Sequence, residues 1–176
     1  MTFLTLLRAA VVALSSAAAM ALVASAGTAR AAEDEASWAV VCADADNAET
    51  CWMEQIRYVD RTVEGQQKRL GKLLSITVRY VGEEARRPLL EMKLPLGVDL
   101  RPGMVLRVDN HEEVKVPFLR CTNAGCQVLV ELTAELVAQL KSGLKLQVGA
   151  RPFGSSKLMV IEASLNGFTR AFDSLK

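Results

Sequence analysis

One histidine, His111, serves the entire chain of 176 residues. Any catalytic triad or imidazole-ligated metal would therefore rest on that single ring. Its neighbours Asp109, Asn110, Glu112 and Glu113 are turn formers, which puts His111 in a solvated loop. No Cys-x-x-Cys opens a helix pattern, so the usual redox couple is missing. There is no phosphate-cradling glycine loop, no nucleophile elbow and no calcium loop. The acidic pairs Glu83-Glu84 and Glu112-Glu113 are sequence neighbours, and on a strand neighbours point to opposite faces. A hydrolase or carbohydrate-active enzyme would have to gather its carboxylates from distant strands. The reading is no catalytic residue, no metal and no cofactor.

What is present begins with an N-terminal leader. Residues 1–8 are short and carry one positive charge, residues 9–26 are apolar and rich in alanine, and Ala29-Arg30-Ala31 has the small-x-small pattern of a cleavage site. This is the layout of a secretory signal removed after Ala31. A retained anchor is the competing reading, but alanine partitions weakly into lipid, and no later run reaches membrane-spanning length. The expectation is a single domain over residues 32–176 with no stable membrane insertion. Cleavage takes Arg8 and Arg30 from the 21 basic residues, leaving 19 against 20 acidic ones. Such a balance gives no general attraction to nucleic acid or to anionic lipid.

All four cysteines, Cys42, Cys51, Cys121 and Cys126, follow the leader. An even count in an exported chain favours disulfides. Zinc prefers two to four residues between paired cysteines, whereas here one pair encloses four residues and the other eight. Three disulfide pairings are open. Strand geometry favours the local ones, because Cys121 and Cys126 would face each other across a loop at residues 122–125. Facing residues on antiparallel strands lie about 4.5–5.5 Å apart, within disulfide reach. Asn123 and Gly125 supply tolerance of positive φ in that loop. Cys42 and Cys51 would close the acidic loop 43–50.

The remainder reads mostly as strands. Residues 37–42 alternate, with Trp38, Val40 and Cys42 on one face. Residues 51–59 are β-rich. Residues 73–81 alternate most clearly, with Leu74, Ile76, Val78 and Tyr80 sharing a face. Residues 60–72 are charged and contain Gly65 and Gly71, which suggests a long exposed connection. Residues 89–94, 104–108, 114–120, 126–131, 144–148 and 158–165 complete the strands. The stretch 95–103 is paced by proline and glycine too closely for regular structure, and Pro117 implies an edge strand or bulge. Thr133 can cap a helix over 134–141 that Gly143 ends. Phe168, Ala171, Phe172 and Leu175 form one apolar helical face. Many short strands with few helices indicate an all-β sandwich or a related barrel.

Two basic clusters, Lys68-Arg69 with Lys72 and Arg86-Arg87, fall in connections, where solvated charge is the plain reading and an acidic partner or lipopolysaccharide phosphate the functional one. Trp38 and Trp52 flank the first cysteine pair, which suggests core packing against a disulfide.

The ordered set Trp38-x-Val40-x-Cys42, Cys51, Pro95-Leu96-Gly97, Arg120-Cys121 through Cys126, and Ser164-Leu165-Asn166-Gly167-Phe168 with Ala171 and Leu175 resembles the invasion-associated locus B family. The resemblance runs from Trp38 to Leu175. It implies an alphaproteobacterial envelope protein with an immunoglobulin-like β-sandwich, one short internal helix and a short C-terminal helix. It implies a founding role in host-cell invasion and transfers no catalytic residue. The expected function is a non-enzymatic protein-binding module whose partner is an unidentified envelope or host protein. The alternative is a periplasmic maintenance or assembly factor. The expected location is periplasmic, outer-membrane-associated or secreted.

Overall fold

The computed structural model describes residues 38–82 and 86–175. The expected signal segment and the Glu83-Glu84 pair lie outside the described residues. The first four strands are β1 (Ala39–Cys42), β2 (Cys51–Val63), β3 (Gln66–Val81) and β4 (Arg87–Leu94). Next come β5 (Met104–Val108), β6 (Val114–Val116), β7 (Arg120–Thr122) and β8 (Gly125–Glu131). Helix α1 (Ala134–Ser142), β9 (Lys145–Ala150), β10 (Met159–Ser164) and helix α2 (Phe168–Asp173) complete the chain.

The strands form two antiparallel sheets, in the orders β1-β2-β3-β4-β8-β7 and β10-β9-β5-β6. Both are open, with distinct edge strands, so the molecule is a sandwich and not a barrel. The inner face of the larger sheet carries Met53, Leu74, Ile76, Val78, Leu90 and Met92. Opposite them Met104, Leu106, Val108, Leu146, Val148 and Ile161 are buried from the smaller sheet. These positions are spaced two apart along their strands, as burial of one sheet face requires.

Thr133 caps α1, its hydroxyl accepting from the Leu136 amide at 3.2 Å. Helix α2 closes one end of the sandwich. Phe168 is fully buried, stacks on Phe172 at 5.6 Å and meets Trp38 edge-on at 5.1 Å. Trp38 thus packs on the C-terminal helix, and its indole N–H donates to the Ser164 carbonyl at 3.0 Å. Trp52 is only half-buried on the outer face of the sheet, so neither tryptophan needs the disulfide to explain its position.

Three expectations change. Val40 is 43 % exposed although it pairs with the fully buried Met53, because β1 is a short edge strand that the smaller sheet does not cover. The run 114–120 is two strands. Proline cannot donate to a ladder, and after Pro117 the chain leaves β6 in the smaller sheet to begin β7 in the larger one. The charged stretch 60–72 is exposed, but it is not a loop. Strands β2 and β3 run through it and meet in a two-residue turn, Glu64-Gly65, both at positive φ (52° and 79°). That is the backbone a tight hairpin needs to match strand twist.

Candidate functional site: the hairpin arm and the cleft at its root

Only the part of the β2–β3 hairpin away from its turn has a third strand beside it. Strand β1 pairs with β2 over 51–54, and β4 pairs with β3 over 75–81. Among the described residues, the hairpin from Tyr58 to Lys72 pairs only with itself. At ~3.3 Å per residue this arm extends roughly 20 Å.

Two register shifts mark its root. Leu73 is the extra residue between the pairs Arg57↔Leu74 and Tyr58↔Lys72, and Leu70 the extra one between Val59↔Gly71 and Asp60↔Arg69. Paired bulges increase local twist and turn a ribbon out of its sheet. Every residue from Val59 to Lys72 is exposed, including the apolar Val59, Val63 and Leu70.

Alternation along β2 puts Tyr58 and Asp60 on the outer face, with Lys72 and Arg69 opposite them. Arg69 lies over the Tyr58 ring at 4.0 Å and reaches the Asp60 carboxylate at 3.4 Å. The other face pairs Arg61 with Lys68, two like charges side by side. Neither has an acidic partner within ion-pair distance among the described residues, and neither does Lys72. Between Tyr58 and Lys72 stand Arg61, Lys68, Arg69 and Lys72 against Asp60 and Glu64, a local excess of positive charge in a nearly neutral chain.

At the root of the arm an open cleft of about 500 Å³ lies between β3, the end of β4 and the β7–β8 turn. Lys72 and Ser75 line it from β3, Lys93 from β4 and Asn123 and Gly125 from the turn, and the exposed Leu96 borders it. Gly125 shapes the boundary. At φ 119° its Cα faces the Leu94 carbonyl so closely that a Cβ would overlap that oxygen. Asn123, expected to share the positive-φ role, does not adopt it.

The Cys121–Cys126 disulfide ties this hairpin, and Cys42–Cys51 ties β1 to β2 beside the long hairpin. Each joins directly facing residues, with Cα atoms 4.0 Å and 3.9 Å apart respectively. Two disulfides indicate an oxidising, non-cytoplasmic compartment. No described helix is long and apolar enough to cross a membrane.

Beside the cleft, Glu91 has a side chain only 9 % exposed. It sits 2.6 Å from the Lys93 ammonium and 3.5 Å from Arg79. Two cations thus share one carboxylate, and the trio keeps one net positive charge next to unpaired Lys72.

Two further carboxylates hold loops in place. Asp99, 4 % exposed, accepts two bonds from the Arg101 guanidinium at 3.0 Å and one from Arg151 at 2.6 Å. These guanidinium bonds hold its carboxyl far below the ordinary carboxylate range. With the Val98–Pro152 bridge and the Phe153 amide bonded to the Gly97 carbonyl, they pin the irregular stretch 95–103. Asp109 accepts from the Leu144 and Lys145 amides, both at 2.9 Å, tying the β5–β6 turn to the start of β9.

His111 is exposed in that turn. Glu113 pairs with Arg107 at 3.5 Å, while Glu112 has no ion-pair partner among the described residues. The Arg86-Arg87 cluster is also spent locally, Arg87 on Glu131 at 3.1 Å and Arg86 over Tyr80 at 5.5 Å. Among the described residues no three His, Cys, Asp or Glu side chains converge as a metal site. Sequence reasoning missed the cleft and both loop-pinning aspartates. The only available signals were Asp99-x-Arg101 within a proline- and glycine-paced segment and the positive-φ demand at Asp109.

Comparison with known proteins gives a consistent result. An invasion protein B homologue of Brucella abortus strain 2308 is 29 % identical over 164 residues, spanning 93 % of this chain and 90 % of the relative. The homologue from biovar 1 strain 9-941 matches to the same extent. The crystal structure of invasion associated protein B from Bartonella henselae superposes with a TM-score of 0.62 at 19 % identity, over 78 % of this chain and 90 % of that one. That likeness supports the sandwich fold. The sequence model of the Invasion associated locus B (IalB) protein family matches residues 38–176, and the chain belongs to that family.

Proposed function

We propose that this is an exported envelope protein, its residues 1–31 removed as a signal, which acts by binding another protein and catalyses no reaction. The hairpin arm is its recognition element. One observation carries the reading: residues 58–72 form a ribbon that no third strand pairs, with Val59, Val63 and Leu70 exposed along it. A two-stranded ribbon is marginal in water by itself, and exposed apolar side chains on such an element suit burial against a partner. The Brucella and Bartonella relatives are named as invasion proteins, and contact with a host-cell protein is the version of the reading that those names favour.

The test is site-specific photocrosslinking in the producing cell, followed by fractionation. A crosslinkable residue at Val63 or Leu70 is expected to capture a discrete protein, and one at Val160 on the smaller sheet is not. Replacing residues 60–69 by an Asn-Gly turn should leave the sandwich folded and abolish co-purification of that protein. No discrete adduct from either arm position in the folded, exported protein, or the same adduct from Val160, would sink the arm as the recognition element.

A further inference from the structure

We infer that the cleft at the root of the arm is a binding site for a phosphate group, carried on an amphiphilic molecule whose organic part lies along Leu96. The site shares Lys72 with the base of the arm, lies away from the arm tip at Val63 and does not depend on a protein partner.

The charge argument comes first. Among the described residues Lys72 has no acidic neighbour in ion-pair range, and Lys93 shares the carboxylate of Glu91 with Arg79. The cleft wall therefore carries surplus positive charge in a chain that is nearly neutral overall. An ammonium has three donors, so after its 2.6 Å contact with Glu91 the Lys93 group still has N–H groups to offer.

The shape of the donor set selects among anions. Lys72 and Ser75 come from β3, Lys93 from β4, and Asn123 from the β7–β8 turn, so donors reach the cleft from three elements. Neither Ser75 nor Asn123 spends its side chain on a hydrogen bond among the described residues. Among the described residues the cations lining this cleft are lysines, which bind phosphate as point charges without requiring a planar partner. Lysine point charges with hydroxyl and amide donors on several sides suit a tetrahedral oxyanion. The rim supplies apolar surface, with Leu96 60 % exposed. Phosphate in the cleft and an organic moiety on that rim use both features.

The cleft is also built to keep its shape. The Cys121–Cys126 disulfide and the tight approach of Gly125 to the Leu94 carbonyl hold the turn against the end of β4. Donors held in place before binding lose less freedom on capture of a ligand.

The test uses the purified exported protein with both disulfides intact and two probes. Inorganic phosphate is titrated while backbone amide resonances are followed by NMR. Sedimentation is then measured with phosphatidylcholine vesicles, with and without phosphatidylglycerol. Saturable shifts are expected at Lys72, Asn123 and Gly125. Lys72→Glu should weaken the response by about tenfold or more. Arg61→Glu, on the opposite face of the arm, should leave it unchanged.

Lys72 is exposed and unpaired, so its replacement does not threaten folding, whereas replacing Lys93 would disturb the ion pair at Glu91. Binding of phosphatidylglycerol vesicles with loss in Lys72→Glu identifies a lipid headgroup as the source. A response to inorganic phosphate alone identifies a soluble phosphorylated compound. The inference is overturned if neither probe saturates, if Lys72→Glu behaves as the parent, or if Arg61→Glu loses as much. Each of these outcomes leaves the crosslinking result at the arm tip untouched.

Discussion

Removing the two disulfides one at a time tests how much of this fold depends on covalent ties. The bridges close loops of sequence separation nine and five. Treated as loss of freedom in the unfolded chain, they contribute about 2.5 and about 2 kcal/mol. The sites differ in one respect. Cys42 is exposed, while Cys126 is 3 % exposed and packed at the end of β8. Truncating that buried sulfur adds about 1 kcal/mol of lost transfer energy. The double alanine variants should therefore fall close together, each losing about 2.5–3 kcal/mol despite the unequal loops. Alanine is preferred to serine because a hydroxyl at Cys126 would be buried. The two pairs lie near opposite edges of the larger sheet, so their losses should add. The sum, about 5 kcal/mol, is of the order of a whole domain's stability. Urea unfolding followed by tryptophan fluorescence reads the result directly, since each variant should lower the midpoint by roughly 1–2 M. A loss below about 1 kcal/mol for either pair would refute the chain-entropy reasoning. Four alkylatable thiols in the natural protein would refute the compartment argument as well.

Gly125→Ala should cost about 2–3 kcal/mol, because the residue sits at positive φ and a Cβ would strike the Leu94 carbonyl. Gly71→Ala, with nothing near its Cβ position, is the control and should leave the thermal midpoint nearly unchanged. Asp99 has a folded pKa well below its unfolded value near 4, held down by Arg101 and Arg151. Its stabilising contribution is therefore complete above about pH 4 and shrinks as pH falls toward the folded pKa. Parent and Asp99→Asn unfolding curves should differ at pH 7 and converge in acid, and a difference that grows on acidification would reverse the assignment.

The parts of the fold that were legible in the sequence are those where burial imposes a period. Leu74, Ile76 and Val78 alternate because each meets the opposing sheet, and Phe168, Ala171, Phe172 and Leu175 recur helically because one face of α2 closes the sandwich. Thr133 and the paired cysteines were legible because their geometry is local. The arm was not, for the same reason in reverse. From Val59 to Lys72 every residue is exposed, so no buried face imposes alternation and the residues read as a charged loop. Glu64-Gly65 between Val63 and Gln66 was the one local sign of a hairpin turn. Asp99 and Asp109 escaped notice because their partners lie up to 52 and 36 residues away.

This difference bears on where function resides. A residue committed to folding is constrained by its neighbours, and the constraint leaves a readable pattern. Residues 58–72 escape that constraint through two bulges within four residues of β3, which take Leu70 and Leu73 out of register. Lys72, between the two bulged residues, lies beyond the last β3–β4 pair at Ser75 and lines the cleft. One local device therefore both frees the arm for contact with another molecule and leaves a cation unpaired at its base. Deleting Leu73 removes the extra residue and its added twist, so it should shift Lys72 relative to Lys93 and weaken the phosphate response while leaving the hairpin turn intact. A variant that kept its phosphate response after that deletion would show that the bulge does not place the cation.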